Sequence, residues 1–286
     1  MKMPPLLADF THARPCKPFC EKYLTLPSEV TFRDLLNSGK KFVGTYMQFA
    51  SEDILEVIAL SGMDYVIFDN EHPMMSQSEL RRLIRIADGL GIASMVRVSG
   101  VYETEIKHVL DAGCCAISVP NINCLEDAKK VVEYARFAPV GYRGICEPAR
   151  ANQFGFAYNA QDYVKQSNED VVILCAIEGP QALAEMEDIV KLPGIDVYAV
   201  GFSDLSCRMG IPGQYDDPRI SGAVDKIHEL AFANGKYAVI TTMDPKVGRQ
   251  CMTGEYNTSY LCYSMDSVLI PQMYKNLVDY LKEGKE

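Results

Sequence analysis

Apolar residues in this chain fall into short blocks that switch between two periodicities. Phe42-Val43-Gly44-Thr45-Tyr46-Met47 is a compact apolar run that reads as a strand. After Ser51, a capping residue, Ile54, Leu55, Ile58 and Ala59 share one helical face that stops at Gly62. The switch then recurs along the chain. Apolar runs at 65–69, 92–98, 115–119, 171–176, 196–200, 237–241 and 258–263 predict seven further strands. Helical spacing lies between them. Ser76-Gln77-Ser78-Glu79 is a capping box before Leu80, Leu83, Ile84 and Ile86. Further helices are predicted from Glu103 to Asp111, through Lys129 and Val132 to about Phe137, and over 180–190, 204–209, 217–233, 245–252 and 266–283. Residues 138–169 break the rhythm and read as a long polar, aromatic loop, a length usually kept for function.

Eight strands, each followed by helix, predict an α/β protein of the (β/α)8 or TIM-barrel class. No strand leads into G-x-G-x-x-G, which disfavours a dinucleotide-binding sheet. A short helix at Phe32–Asn37 is expected to close the barrel base. The proline-punctuated, poorly periodic residues 1–30 read as an N-terminal arm, leaving 31–286 as a single domain.

Composition narrows the partners. With Lys+Arg 28 against Asp+Glu 38 the formal charge is −10, and no basic run occurs, so neither nucleic acid nor an anionic membrane surface is expected as a partner. No apolar stretch approaches the ~20 residues that span a bilayer, and the first residues lack the apolar core of a signal peptide. The expectation is a cytoplasmic protein. Ten cysteines are scattered, several of them in strand-like runs where a thiol acts as a small hydrophobe. His12, Cys16 and Cys20 form a loose H-x3-C-x3-C, without the paired spacing of a zinc site.

In a barrel, residues just past each strand meet on one rim. Those positions hold Gln48, then Asp69, Glu71 and His72, then Arg97, Pro120-Asn121, Glu178, Asp204 and Thr241-Thr242. A histidine, an arginine and several carboxylates on one rim suit a metal or an acid–base site. Glu178 and Asp204, on adjacent strands, suit Mg²⁺ or Mn²⁺ with positions left for water and substrate. Plainer readings exist: Asp69 and Glu71 as caps of the next helix, Glu178 as a carboxylate at a helix N-terminus, and Asp204 as an N-cap.

The motifs Phe68-Asp69-Asn70-Glu71-His72, Met95-Val96-Arg97, Val109-Leu110-Asp111-Ala112-Gly113, Val119-Pro120, Gly141-Tyr142-Arg143-Gly144, Ala176-Ile177-Glu178 and Gly201-Phe202-Ser203-Asp204-Leu205-Ser206 occur in one order. In that order the chain resembles the HpcH/HpaI aldolase family from about residue 40 to 265. The resemblance implies a class II, metal-dependent carbon–carbon lyase that cleaves a 4-hydroxy-2-oxo acid to pyruvate and an aldehyde through a metal-stabilised enolate. It implies Glu178 and Asp204 as ligands of Mg²⁺, Mn²⁺ or Co²⁺, Arg97 as the cation at the enolate oxygen, and His72 as the acid–base residue. Asp69 would hold Arg97, and the backbone N–H groups of Ser203 and Asp204 would receive the substrate carboxylate, with Pro120 and Phe202 lining the pocket. Asp111 would orient His72 of a neighbouring subunit, in a homo-oligomer built from dimers and reaching a hexamer. The terminal helix would be exchanged between partners, though Val268, Leu269, Ile270, Met273, Leu277 and Val278 would equally serve an ordinary eighth barrel helix.

Asn70 stands where much of the family has glycine, Ala176 where it has glutamine, and Phe202-Ser203 where it has proline and alanine. Those differences bear on the substrate. A different metal-enolate chemistry, decarboxylation or addition, and a non-catalytic oxo-acid-binding paralogue are the rival readings. A Schiff-base aldolase needs a lysine at a strand end, and the expected rim has none.

Overall fold

The computed structural model describes residues 30–284. Eight parallel strands, β1 (Val43–Met47), β2 (Tyr65–Asp69), β3 (Ala93–Arg97), β4 (Ala116–Ile122), β5 (Val172–Ile177), β6 (Val197–Val200), β7 (Tyr237–Thr242) and β8 (Tyr260–Met265), pair in sequence order. The barrel closes where Val43 of β1 pairs with Leu261 of β8. This is the (β/α)8 architecture that the alternating periodicities predict. β2, β3, β5 and β6 are buried at nearly every position, as expected of strands covered by helices on one side and packed side chains on the other, while β1, β7 and β8 are partly open.

The base is sealed by aromatic rings. Thr31 and Asp34 form a capping box for helix Phe32–Asn37, which sets Phe32 against Phe42, Tyr65 and Tyr260. Phe42 and Tyr260 stack with centroids 4.6 Å apart, and the other ring pairs meet edge to face. Beside the plug, the buried Arg136 donates to the carbonyls of Gly194, Asn168 and Val171 and to Asp196, which also takes Arg33.

Three expectations need correction. The loop expected over 138–169 contains helix Ala160–Asp170, capped by Asn159. Only Tyr163 of that helix is buried, so it has no apolar stripe for a periodicity to reveal. The helix expected at 180–190 is two pieces, Pro180–Ala184 and Met186–Ile189, separated at Glu185. The last strand begins at Tyr260, because Thr258 turns its hydroxyl onto the carbonyls of Ala238 and Tyr260 in a buried lead-in.

Helix Asp266–Glu283 leaves Val268, Leu269, Met273, Leu277, Val278 and Leu281 exposed, and of its described side chains only Asp266 is buried. No helix among the described residues is long and apolar enough to cross a membrane. The arm over 1–29 and the His12/Cys16/Cys20 spacing lie outside the described residues.

Candidate active site

The strand ends converge as the barrel requires. Asp69 closes β2 and is fully buried, with carboxylate oxygens accepting from Arg97 Nε at 2.8 Å, Arg97 Nη2 at 2.7 Å and Gln48 Nε2 at 2.8 Å. Burial pushes this carboxyl up, but the Arg97 and Gln48 hydrogen bonds outweigh it and hold the group below the ordinary carboxylate range. The capping alternative for Asp69 therefore falls, and Ser76 caps the next helix instead. Arg97, at the end of β3, is fixed as a two-pronged fork whose Cζ lies over the Tyr46 ring, 4.7 Å from its centroid. Its third nitrogen, Nη1, reaches Glu71 at 3.0 Å. Gln48 is itself held by the Ser267 hydroxyl, and its backbone N–H donates to Asp266 at 2.8 Å.

Glu71 is the hub of this half of the rim. Asn121 Nδ2 donates to it at 3.1 Å, and His72 Nε2 stands 3.7 Å away. Burial raises its carboxyl despite the opposing pull of Arg97 and His72. The imidazole of His72 is largely solvent-exposed.

Glu178 follows β5 and is buried, with Oε2 accepting from the backbone N–H of Asn121 at 3.0 Å. A Cβ on Gly201 would lie 2.3 Å from Glu178 Cγ, so only glycine at the exit of β6 leaves room for this carboxylate. Burial, then the charges of Glu71 and Asp204, push its carboxyl up to about 7. Asp204 sits in the first turn of helix Phe202–Arg208, where Gly201 rather than Asp204 is the N-cap residue. Its side chain is about half exposed, 3.9 Å from Arg208 Nη2. Arg208 Nη1 also donates to the Glu178 carbonyl at 3.0 Å.

The other expected site residues are placed as follows. Pro120 and Asn121 lie inside β4 rather than beyond it, and Pro120 is buried. The Ser203 hydroxyl lies 3.1 Å from that of Tyr215, and Phe202 packs on the barrel core with its ring edge-on to Tyr215. Asp111, at the end of helix Glu103–Asp111, is not brought to the rim. It pairs with the buried Arg143 at 2.5 Å and lines a flank cavity of about 630 Å³ together with Tyr102, Glu105, His108, Cys146 and Phe154. Sequence reasoning assigned no role to Asn121 or Arg208. Arg208 carries one signal, its place four residues beyond Asp204 on a helix, and Asn121 only its place among the strand-end positions.

Glu71, Glu178 and Asp204 thus bring negative charge together, at a cost that a divalent cation would relieve. Among the described residues no three His, Cys, Asp or Glu side chains form a ready-made cage. Two carboxylates with open positions match a hard ion that keeps waters and binds substrate oxygen. The donor set fits such an ion.

The model of the HpcH/HpaI aldolase/citrate lyase family matches residues 43–269. The chain belongs to that family. A hydroxypyruvate/pyruvate aldolase of Sagittula stellata is 30% identical, covering 84% of this chain and 92% of its own length. A 2-keto-3-deoxy-L-rhamnonate aldolase of Salmonella gallinarum is 26% identical over 83% of this chain and 88% of its own. The crystal structure of an HpcH/HpaI aldolase from Desulfitobacterium hafniense superposes with a TM-score of 0.81 at 25% identity, covering 88% of this chain and 97% of that one. As an HpcH/HpaI member the chain is a carbon–carbon lyase of the class II aldolase type, from a family that depends on divalent metal.

Proposed function

We propose that this HpcH/HpaI lyase cleaves a 4-hydroxy-2-oxo acid between C3 and C4, releasing pyruvate and an aldehyde. The observation that carries this reading is the adjacency of two unlike halves of one rim. One is a clamped guanidinium beside an exposed imidazole; the other is a pair of carboxylates short of a cation. Glu178 and Asp204 would hold Mg²⁺, Mn²⁺ or Co²⁺, which when bound acts as a Lewis acid on the 2-oxo group. His72 takes the proton of the C4 hydroxyl as the C3–C4 bond breaks. The electron pair of that bond moves toward the C2 oxygen, where Arg97 meets the growing charge. Asp69 and Gln48 hold Arg97 in place beforehand, so little reorganisation is needed at that moment. Return of that proton from His72 to C3 then completes the pyruvate methyl group and restores the free imidazole. The first turn carrying Ser203 and Asp204 faces its backbone N–H groups to the substrate carboxylate, and Phe202 and Pro120 form the wall.

Asp111 would act on His72 from a second subunit, in an assembly built from dimers and reaching a hexamer. Two features support that reading: Asp111 lines an open flank cavity, and helix Asp266–Glu283 has an uncovered apolar face suited to exchange between partners. The eight cysteines among the described residues are all free, which favours a reducing, cytoplasmic setting. The test is a panel of hydroxy-oxo acids assayed for pyruvate release with Mn²⁺, with Mg²⁺ and with chelator. The expected result is metal-dependent release from at least one. Turnover in excess chelator, or a borohydride-trapped lysine adduct, would overturn the reading.

A further inference from the structure

Between the pairs Val119–Cys175 and Ile122–Ile177, β4 spends one residue more than β5. The extra residue forms a bulge at Pro120-Asn121, and bulges beside active sites re-aim side chains. Pro120 has no N–H to leave unpaired there. Asn121 has φ 61, in the left-handed region, which asparagine tolerates better than most residues. Beyond it the ladder resumes at once, the Ile122 carbonyl accepting from the N–H groups of Glu178 and Gly179 at 3.1 and 3.3 Å.

Every polar group of Asn121 is committed. Its backbone N–H donates to Glu178 Oε2 at 3.0 Å and its Nδ2 to Glu71 Oε1 at 3.1 Å. Its Oδ1 accepts from Arg208 Nη2 at 2.9 Å, and its carbonyl accepts from Asn123 Nδ2 at 2.8 Å. With an extended backbone in ladder register, N–H and side chain would not both turn inward. The bulge and the positive φ place two donors on two carboxylates of opposite assignment.

We infer that Asn121 is a positioning residue, locking the acid–base half of the rim (Glu71, with Arg97 and His72) to the metal half (Glu178), with Arg208 as its brace. The inference rests on the metal-lyase reading above. An ordinary packing role would require only that residue 121 fit the bulge. A positioning role requires the amide in addition, because Glu71 carries Nη1 of Arg97 on one oxygen and the Asn121 amide on the other.

Asn121→Gly separates the two, since glycine adopts positive φ freely and keeps the N–H that faces Glu178. The full-length protein and its Asn121→Gly, Arg208→Gln and doubly substituted forms are compared by Mn²⁺ titration calorimetry, steady-state kinetics and thermal melting. The expectation for Asn121→Gly is an unchanged melting temperature with a loss of about 10- to 100-fold in kcat or in Mn²⁺ affinity. Arg208 also reaches the Glu178 carbonyl and Asp204, so the double variant should fall below Asn121→Gly alone but by less than the product of the two single losses, because the Asn121–Arg208 contact is lost only once. Asn121→Asp keeps the acceptor for Arg208 but turns a carboxylate toward Glu71, so its kcat should fall below that of Asn121→Gly. Wild-type kcat and Mn²⁺ affinity in Asn121→Gly overturn the inference alone, as do additive losses in the double variant. A native protein that neither binds Mn²⁺ nor releases pyruvate overturns the lyase reading and takes this inference with it.

Discussion

At the base of the barrel Arg136 delivers its N–H groups to three backbone carbonyls and to Asp196, and Lys236 ends on the carbonyl of Ile195. At the rim, Arg97 and Arg208 instead face Asp69, Glu71, Glu178 and Asp204, four carboxylates against two guanidinium groups. The base sets its charge mostly on fixed backbone dipoles and on one shared carboxylate, Asp196, which ties strand entries and loops together. The rim sets charge against charge in partial burial, which leaves Glu178 raised and Asp204 half open. Both ends hold arginine, fully buried at the base (Arg136) and only partly covered at the rim (Arg97, Arg208); what differs is what the arginine is given to hold. Chemistry is read from the rim because its charges are not neutralised by the fold.

The widest separation between the two ends comes from metal removal. Excess chelator should abolish activity, and Mg²⁺, Mn²⁺ or Co²⁺ should restore it, with no effect on the aromatic base as followed by near-UV dichroism. Next come the rim side chains. His72→Ala should lower kcat by roughly 10²–10⁴-fold while pyruvate still binds, and unchanged kcat would return His72 to a surface role. Arg97→Lys should also be severe, since a flexible ammonium cannot replace a fork shared by Asp69 and Glu71. Both variants should melt close to the parent.

The base should answer in the opposite currency. Phe32→Ala removes the ring at the centre of the plug and should cost about 3–5 kcal/mol in chemical denaturation. Its kcat per folded molecule should match the parent, and a loss of kcat at full folding would break the contrast between the ends.

The smallest effect is a slope. In the metal-free protein, burial and then Glu71 and Asp204 raise the folded-state carboxyl of Glu178 from 4.5 to about 7. A raised folded value means the folded state holds the proton more tightly. That contribution is complete below the unfolded value of 4.5 and is lost as pH climbs through about 7. Melting temperature should therefore decline across this window, and either Glu178→Gln or added Mg²⁺ should flatten the decline. A flat metal-free profile would mean that the carboxylates at the rim are not under mutual strain.

Much of the barrel was legible because its strands are buried on both faces and read as unbroken apolar runs, as in Tyr65–Asp69. Helix Ala160–Asp170 was not, since a helix with one buried side chain has no periodic stripe. Asp69, Glu71, His72, Arg97 and Glu178 could be found because a charged residue at the end of an apolar run is conspicuous. Asn121 could not. Its position depends on a bulge that shifts β4 by one residue against β5, and nothing in Val119-Pro120-Asn121-Ile122 announces which strand pair will slip. Asp111 was visible only through the family resemblance, and in the single chain it holds Arg143 instead.

Asp266 and Ser267 open the terminal helix, yet they grip Gln48, the residue that completes the cradle of Asp69 under Arg97. The last helix is therefore wired to the first strand's exit, two hydrogen bonds away from the guanidinium. A tag, fusion or deletion engineered at that end that disturbs the first turn of this helix is an intervention in the reaction centre rather than a cosmetic trim. The protein is better assayed with its terminal helix whole than cut before Asp266.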